Sequence, residues 1–311
     1  MTGVIHTEGL GKVYRSGFLR LPFTGLEGLS LTVPAGTAFG FVGPNGAGKT
    51  TAIKILMGIQ RQTSGRAFIH GLPIEDPLCR RRVGFVPERP YFYEHLTAAE
   101  FLDFYGRLCE VPVPERSRRA TRLLERVNLA RFANVQLGSF SKGMLQRAGL
   151  AQALMGDPDL LVLDEPMSGL DPLGRVLVRD IILEERREGK TVFFSSHILS
   201  DIEAICDRVA ILVLGKLRGQ GTLPELIGQS VQLVDCIFEI GVDLPGPWLR
   251  EGSRLRAQVP PDDVGPLIDR VRAAGGSVTS IVPQVRSLED LLLSEVERAA
   301  PADARRLGVL A

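Results

Sequence analysis

The most constraining feature of this sequence is the glycine-rich stretch at residues 43–50, Gly-Pro-Asn-Gly-Ala-Gly-Lys-Thr. It fits the pattern G-x-x-x-x-G-K-[ST], in which glycines let backbone N–H groups approach a polyphosphate and form a concave site for anions. Lys49 can reach the β- and γ-phosphates, and the Thr50 hydroxyl is suited to ligate magnesium. The residues expected to touch the nucleotide here are Gly43, Pro44, Asn45, Gly46, Ala47, Gly48, Lys49, Thr50 and Thr51.

The segments on either side of this loop support the interpretation. Residues 37–42 form an apolar run typical of a buried strand, and residues 50–57 have the apolar spacing of a helix. A strand–loop–helix order places the phosphates at a helix N-terminus, where the dipole favours negative charge. The alternative is a glycine-rich turn without a ligand, and this context argues against it.

Composition limits the possible functions further. The chain has 311 residues, enough for two domains with cores of their own, and its net charge of +1 gives no reason to expect a nucleic-acid partner. The four cysteines are far apart in sequence, so we expect neither a zinc site nor disulfides, as in a reducing cytosol. We expect no signal peptide and no membrane-spanning segment, so that another polypeptide must supply any helices in a membrane.

The order of apolar segments predicts an α/β fold. Fully apolar runs at 160–163, 191–194 and 209–213 alternate with helical patterns, and buried strands of this kind belong to parallel sheets. Residues 96–137 have helical periodicity. After Gly221 the pattern changes, and we expect a small separate α/β domain there.

Local signals add detail at the two ends of the chain. Near the N-terminus, short strands are expected at 4–7 and 28–33, with a long connection at 16–25 between them. Near the C-terminus, Ser287 and Asp290 have the Ser-x-x-Asp spacing of a capping box and predict the start of a helix.

Six further short motifs accompany the phosphate loop. They are the aromatic Tyr14, Val-Gly-Phe-Val-Pro-Glu-Arg-Pro at 83–90, Ser-Phe-Ser-Lys-Gly-Met-Leu-Gln-Arg at 139–147, Leu-Leu-Val-Leu-Asp-Glu-Pro at 160–166, Ser-Gly-Leu-Asp at 168–171 and Ser-Ser-His at 195–197. Over residues 4–220 the chain resembles the ATP-binding-cassette (ABC) ATPases. The resemblance implies a three-layer P-loop NTPase core, an antiparallel β-subdomain, a helical insertion at about 95–150, and ATP and magnesium as cofactors.

The resemblance also implies the hydrolytic residues. Asp164 resembles the carboxylate that ends the Walker B strand, beside the magnesium held by Thr50, and Glu165 resembles the general base that polarises the attacking water. His197 matches the switch histidine that contacts the γ-phosphate. An Asp-Glu pair after a strand can also cap a helix, and a histidine at a strand end can be a plain polar terminus.

Two other motifs imply a nucleotide site shared between two cassettes. Ser141 and Gly143 match the signature loop, which holds the γ-phosphate bound to the opposite subunit, although Phe140, Lys142 and Met144 depart from the usual Leu-Ser-Gly-Gly-Gln. Ser141 can also be a simple N-cap of the helix that follows. Asp171 matches the loop that crosses the dimer interface, and it can equally belong to a turn before a helix.

Two more positions carry weaker resemblances. Tyr14 stands where the family places an aromatic ring against adenine, although a single tyrosine near a strand is more often core or surface. Glu88 stands where the family usually has glutamine, and a carboxylate there can ligate magnesium directly or through water. This Pro-Glu form, together with Ser-Lys-Gly-Met, looks most like the ATPases of type 2 exporters.

These observations lead to one interpretation and one alternative. We expect an ABC ATPase domain at 1–222 and a small accessory α/β domain at 223–311, forming a homodimer or pairing with a related cassette. We expect it to drive a separate permease, in an exporter, from the cytoplasmic face of the cell membrane. The arginines at 80–82 and 116–126 fit a solvated face or contact with that permease or its lipids. The alternative is a soluble ATP-gated clamp acting on ribosomes or DNA, which usually has two cassettes or long insertions.

Overall fold

A computed structural model describes residues 3–16, 21–89, 91–228, 231–241, 246, 248–285 and 287–303. The strands are β1 (Gly3–Ser16), β2 (Leu21–Pro34), β3 (Ala38–Val42), β4 (Ser64–Ile69), β5 (Leu72–Pro73), β6 (Val83–Val86), β7 (Leu160–Asp164), β8 (Thr191–Ser196), β9 (Arg208–Val213), β10 (Lys216–Gly221), β11 (Val231–Glu239), β12 (Leu249–Glu251), β13 (Arg254–Val259) and β14 (Ser277–Val285). The α-helices are α1 (Lys49–Leu56), α2 (Ala98–Leu108), α3 (Val113–Arg126), α4 (Lys142–Leu154), α5 (Pro172–Arg187), α6 (Leu199–Ile205), α7 (Leu223–Ile227), α8 (Pro261–Ala273) and α9 (Leu288–Asp303).

The chain divides into two compact units. One contains residues 1–222 together with the chain from Glu295 onward, and the other contains Leu223–Ser294. In the described part of the chain no helix is long and apolar enough to cross a membrane.

The loop at 43–50 follows strand β3, which belongs to a mainly parallel sheet in the first unit, with the strand order β10-β9-β3-β8-β7-β6. Strands β6, β7, β8, β3 and β9 pair in parallel, and β10 pairs antiparallel with β9. Every residue of β3, β7 and β8 is buried, which explains why each reads as a continuous apolar run. The carboxyl ends of these strands therefore meet along one edge of the sheet.

A second sheet in this unit is antiparallel, in the order β2-β1-β4-β5. The expectation of a connection over 16–25 is wrong for Leu21–Gly25, which belong to β2, where Tyr14 stands opposite Phe23. Residues 17–20 lie outside the described residues. Pairing between strands extends this hairpin through glycines and polar residues that are poor strand formers by themselves, a tertiary effect that overrides propensity.

The helical insertion consists of α2, α3 and the start of α4. Helix α2 begins at a capping box: the Thr97 side chain accepts from the Glu100 N–H at 3.3 Å, while the Glu100 carboxylate accepts from the Thr97 N–H at 2.9 Å. Phe101 and Leu102 on α2 and Leu124 on α3 are buried. Their apolar spacing produces the packed face that the sequence predicts for this region.

In the second unit, α8 packs on the sheet β12-β13-β11-β14. Its core includes Cys236 and Phe238 on β11 and Val271 on α8, all of which are inaccessible to solvent. The predicted capping box is confirmed at the start of α9: the Ser287 N–H donates to Asp290 Oδ2 at 2.8 Å, and the Asp290 N–H donates to Ser287 Oγ at 3.1 Å.

Candidate active site

The phosphate loop connects the end of β3 to the start of α1, and the chain packs closely around two of its glycines. A Cβ on Gly43 would lie 2.1 Å from the carbonyl oxygen of Leu212, and a Cβ on Gly48 would lie 2.4 Å from that of Gly25. Gly48 also has φ 105°, a conformation that other residues rarely adopt. Only glycine fits at these two positions, so the loop is shaped before any nucleotide binds.

Lys49 is held inside this loop. Its Nζ donates to the carbonyl oxygens of Gly43 at 2.5 Å and Pro44 at 3.3 Å, and lies 3.6 Å from Glu165 Oε1. The residue is 6% exposed, and burial lowers the pKa of Lys49 while the charge of Glu165 opposes that change. A buried ammonium with mainly carbonyl neighbours is well suited to accept an anionic phosphate as a further partner.

Asp164 lies at the carboxyl end of β7 and collects two hydroxyl groups. Its Oδ1 accepts from Ser195 Oγ at 2.7 Å and from Thr50 Oγ1 at 3.2 Å. Ser195 stands opposite Asp164 in the parallel pairing of β7 with β8. Burial raises the pKa of Asp164; the two hydroxyls act against this rise, and the charges of Glu88 and Glu165 add to it.

Glu165 follows directly, in an unusual backbone conformation. Its φ is 51°, its N–H donates to Ser195 Oγ at 2.9 Å, and its Oε2 lies 2.7 Å from His197 Nδ1. The alternative that the Asp-Glu pair caps a helix does not hold, because residues 165–169 form a turn and α5 begins only at Pro172. A strained residue held by its neighbours is a frequent feature of functional sites.

Lys49 and Glu165 line one cavity of about 440 Å³. Its lining residues are Asn45, Gly46, Ala47, Gly48, Lys49, Thr50, Thr51, Glu88, Glu165, Ser168 and His197. The structure therefore brings the phosphate loop together with the predicted residues Glu88, Glu165 and His197. Ser168 and Ser195 were not among the predicted site residues, although each is a polar residue just beyond or within a strand that ends at this edge.

The predicted magnesium ligands meet in a neighbouring cavity of about 640 Å³, which Thr50, Glu88 and Asp164 all line. The described residues contain no group of three or more His, Cys, Asp or Glu side chains arranged to hold a metal. Magnesium needs no such group, because it commonly takes one or two carboxylates together with substrate phosphates and water. A hydroxyl and two carboxylates among like charges fit a hard cation.

Tyr14 lies next to the loop but does not line the 440 Å³ cavity. Its hydroxyl donates to Gln60 Oε1 at 2.8 Å and lies 3.0 Å from Thr51 Oγ1. Lys12 Nζ stands 5.3 Å from the centre of its ring. The ring is thus fixed at the side of α1, and its stacking on adenine stays a prediction.

Ser141, Gly143 and Asp171 also lie outside that cavity. Ser141 Oγ accepts from the Met144 N–H at 3.3 Å and caps α4, while Asp171 Oδ1 accepts from the Gly174 N–H at 2.8 Å and caps α5. The capping roles that the sequence left open as alternatives are therefore present. Capping does not compete with binding at the same loop, so the expected contacts of these residues with a nucleotide stay predictions.

Comparisons with known proteins identify the family. Residues 26–168 match the ABC transporter family. An ABC transporter ATP-binding protein of Synechocystis sp. is 51% identical over 73% of this chain and 65% of its own length, so the chain spans just under two thirds of that relative. A second, from Nostoc sp., is 43% identical over 95% of this chain and 90% of its own length. The Nod factor export ATP-binding protein I of Ralstonia nicotianae is 32% identical over 98% and 90%.

Solved structures show the same fold. The ATP-binding subunit of an ABC transporter superposes with a TM-score of 0.66, at 31% identity, over 73% of this chain and 92% of that chain. A dimeric ABC cassette in a post-hydrolysis state with ADP and phosphate has a TM-score of 0.65, at 24% identity, over 70% and 98%. The chain belongs to the ABC transporter family. It is an ATP-binding ATPase, and the predicted α/β P-loop fold is confirmed.

Proposed function

We propose that this chain hydrolyses ATP to power a separate membrane permease, and that the transport is directed outward. The observation that supports the catalytic part is the position of Glu165, whose carboxylate stands between Lys49 Nζ at 3.6 Å and His197 Nδ1 at 2.7 Å, at a cavity of about 440 Å³ formed by the phosphate loop. A carboxylate at the edge of a phosphate cavity is suited to polarise an attacking water.

Each residue of the site has a proposed role. Lys49 and the N–H groups of the loop bind the β- and γ-phosphates, Glu165 is the general base, and His197 holds that carboxylate and contacts the γ-phosphate. Thr50, Asp164 and Glu88 would hold magnesium, which when bound supplies positive charge against the phosphate oxygens.

Gly143 supports a site completed by a second cassette, either a second copy or a related chain. A Cβ on Gly143 would have its nearest neighbours at 3.4 Å from Leu170 Cδ2 and 3.9 Å from the Gly169 oxygen, which are ordinary contacts. Since this chain alone would accept a side chain there, its own packing does not require glycine, and we attribute the glycine to a group that approaches from outside. We propose that this is the γ-phosphate held by the Lys49 of the opposite cassette, with Ser141 and Asp171 beside it.

The proposed permease contact lies beside Glu88 and the helical insertion. Glu88 lines both cavities, and so belongs to the nucleotide site and to the neighbouring surface. That surface carries Ile59, 58% exposed, and Tyr91, 95% exposed, which are large apolar side chains suited to a protein partner. In this arrangement the chain is peripheral, on the cytoplasmic face of the cell membrane, with residues 1–222 as the nucleotide-binding domain and 223–311 as an accessory domain.

The outward direction has two supports. Glu88 and the Ser-Lys-Gly-Met segment at 141–144 depart from the usual family pattern toward that of type 2 exporters. The relative from Ralstonia nicotianae, which aligns along almost the whole chain, carries export in its name.

The test is to tag the chain at its N-terminus, express it in its native cell, solubilise the membranes in mild detergent and identify what co-purifies. We expect a polytopic membrane protein at a fixed stoichiometry, released or rearranged when Glu165→Gln traps the ATP-bound state. Recovery with ribosomes, DNA or no partner, from the soluble fraction alone, would overturn the proposal and favour the ATP-gated clamp.

A further inference from the structure

Arg147 lies one turn inside α4 and connects the start of that helix to the end of another. Its Nε donates to the carbonyl oxygen of Gly143 at 3.3 Å, and its Nη1 donates to those of Val127 and Asn128, each at 3.1 Å. Gly143 lies in the first turn of α4, in the segment that is proposed to reach the opposite nucleotide. Val127 and Asn128 directly follow α3, so one side chain joins the start of α4 to the end of α3.

The acceptors at the end of α3 are of a kind that favours a cation. Val127 directly follows Arg126, the last residue of the helix, and Asn128 comes next with φ 55°. Carbonyl oxygens at a helix C-terminus lack partners within the helix and carry partial negative charge. A planar guanidinium can satisfy two of them and still reach a third acceptor, which the point charge of a lysine does less well. In the described part of the chain all hydrogen bonds of Arg147 are to these backbone oxygens.

The end of α3 is itself fixed to the body of the first unit. Arg126, its last residue, donates from Nη2 to Glu184 Oε2 at 2.8 Å and from Nη1 to Glu185 Oε1, both on α5. Glu185 is completely buried and also accepts from Lys190 Nζ at 2.7 Å. Because the buried Glu185 is paired with both Arg126 and Lys190, separating these charges would be costly. The carbonyl oxygens that Arg147 binds are therefore held in a fixed position relative to α5.

We propose that Arg147 is a positioning residue for the shared nucleotide site, which holds the backbone of Gly143, and with it the Ser141 cap, in place for the opposite cassette. This proposal rests on the shared site proposed above. None of the acceptors of Arg147 lines the 440 Å³ cavity. Its loss should therefore change what the chain offers to its partner and leave its own phosphate loop intact.

The experiment compares Arg147→Met with Arg118→Met, which removes the same charge from an exposed position on α3. Methionine keeps most of the apolar stem of arginine, so that packing is disturbed little. In the Glu165→Gln background we expect ATP-driven dimer formation to weaken about tenfold, as suits the loss of charge-assisted hydrogen bonds. With Glu165 present, kcat should fall by about the same factor. ATP binding to the monomer, measured below the dimerisation concentration, should be unchanged, as should every property of Arg118→Met.

Two results would overturn the role of Arg147. One is unchanged dimerisation and kcat; the other is a fall in monomer ATP affinity that parallels a fall in the unfolding temperature, which would indicate a purely structural role. Ser141→Ala and Gly143→Ala, measured beside it, separate the two proposals. If they also leave dimerisation unchanged, the shared site itself is wrong; if they weaken it while Arg147→Met does not, only the role of Arg147 is wrong. Should Arg147→Met fail to fold, Arg147→Lys keeps the charge without the planar fork, and dimerisation as strong as in the parent would refute the role.

Discussion

The phosphate loop at 43–50 and the segment around Gly143, which is proposed to reach the opposite nucleotide, differ in how much of their environment the chain itself supplies. In the loop at 43–50, a Cβ on Gly43 would lie 2.1 Å from a backbone oxygen, so the surrounding fold demands glycine. At Gly143 a Cβ would lie 3.4 Å from Leu170 Cδ2 and 3.9 Å from the Gly169 oxygen, which are ordinary contacts, so the fold makes no such demand. Packing within the chain therefore accounts for glycine in the first loop, whereas glycine at position 143 is accounted for only by the proposed approach of a phosphate from outside. The difference supports a site built from two cassettes and indicates where to disturb each half.

The test with the largest expected effect removes the proposed general base, Glu165, beside the phosphate loop at 43–50. Glu165→Gln keeps the size of the side chain but cannot take a proton, so we expect ATP hydrolysis to fall by about a hundredfold to ten-thousandfold. ATP binding should be retained, because Lys49 and the loop backbone are unchanged. Turnover is measured by phosphate release and binding by titration, with the exposed Glu125→Gln on α3 as the matched control. Turnover at the parent rate would mean that the comparison assigns the reaction to the wrong half.

The next test adds a single methyl group to each loop. In Gly43→Ala the new Cβ must displace the backbone near Leu212, and we expect the free energy of unfolding to fall by about 1–3 kcal/mol. ATP binding by the monomer should be largely lost, because the loop that surrounds the phosphates is distorted. Denaturant unfolding and ATP titration check the two parts. Unimpaired binding with parent stability would show that the chain does not shape this loop as closely as the distances imply.

The corresponding change in the second loop should affect activity and spare the fold. In Gly143→Ala the methyl group has room, and since alanine is the better helix former the unfolding free energy should stay equal or rise by up to about 1 kcal/mol. Binding of ATP by the monomer should be unchanged, while turnover and ATP-driven dimerisation should fall about tenfold or more as a donor to the phosphate is obstructed. A loss of stability equal to that of Gly43→Ala would abolish the distinction between the loops.

The phosphate loop at 43–50 and the strands around it were also easier to predict from sequence than the segment around Gly143. The loop at 43–50 and strands β3, β7 and β8 are signalled by local composition alone, because each strand is buried along its whole length. Ser195 was not predicted to contact Asp164, because that contact depends on strand register. The two residues stand opposite each other only once β7 and β8 are paired. The extent of β1 and β2 was missed for a similar reason, since pairing across strands stabilises residues that have little strand propensity.

Arg147 and Gly143 show a further limit of sequence-based prediction. The sequence marks Gly143 by its motif, but whether the glycine serves the fold or a ligand depends on the free space around it, which is a property of packing. Arg147 is the last residue of the motif at 139–147, but the motif does not reveal its role, because its acceptors are backbone oxygens at the end of another helix. Contacts to the backbone leave no trace in residue type.

The smallest expected effect concerns the protonation of Asp164, which lies beside the phosphate loop at 43–50. Burial raises the pKa of Asp164 above its ordinary value of 3.8. At a pH between 3.8 and the raised pKa, the Asp164 carboxyl is therefore protonated in the folded chain and ionised in the unfolded chain. The folded state binds more protons in that window, so this group makes the unfolding free energy fall as pH rises through it, and contributes no further change above the raised pKa. The slope should be absent in Asp164→Asn and should diminish when magnesium and ATP are added, since a bound cation favours the ionised carboxylate. Denaturant unfolding of both proteins from about pH 4 to about pH 7 measures the difference. The contrary outcome is a difference in unfolding free energy between the parent and Asp164→Asn that is constant, or that favours the parent more as pH rises. Either result would mean that groups of the same chain already stabilise the ionised Asp164, so that the carboxylate does not need a cation.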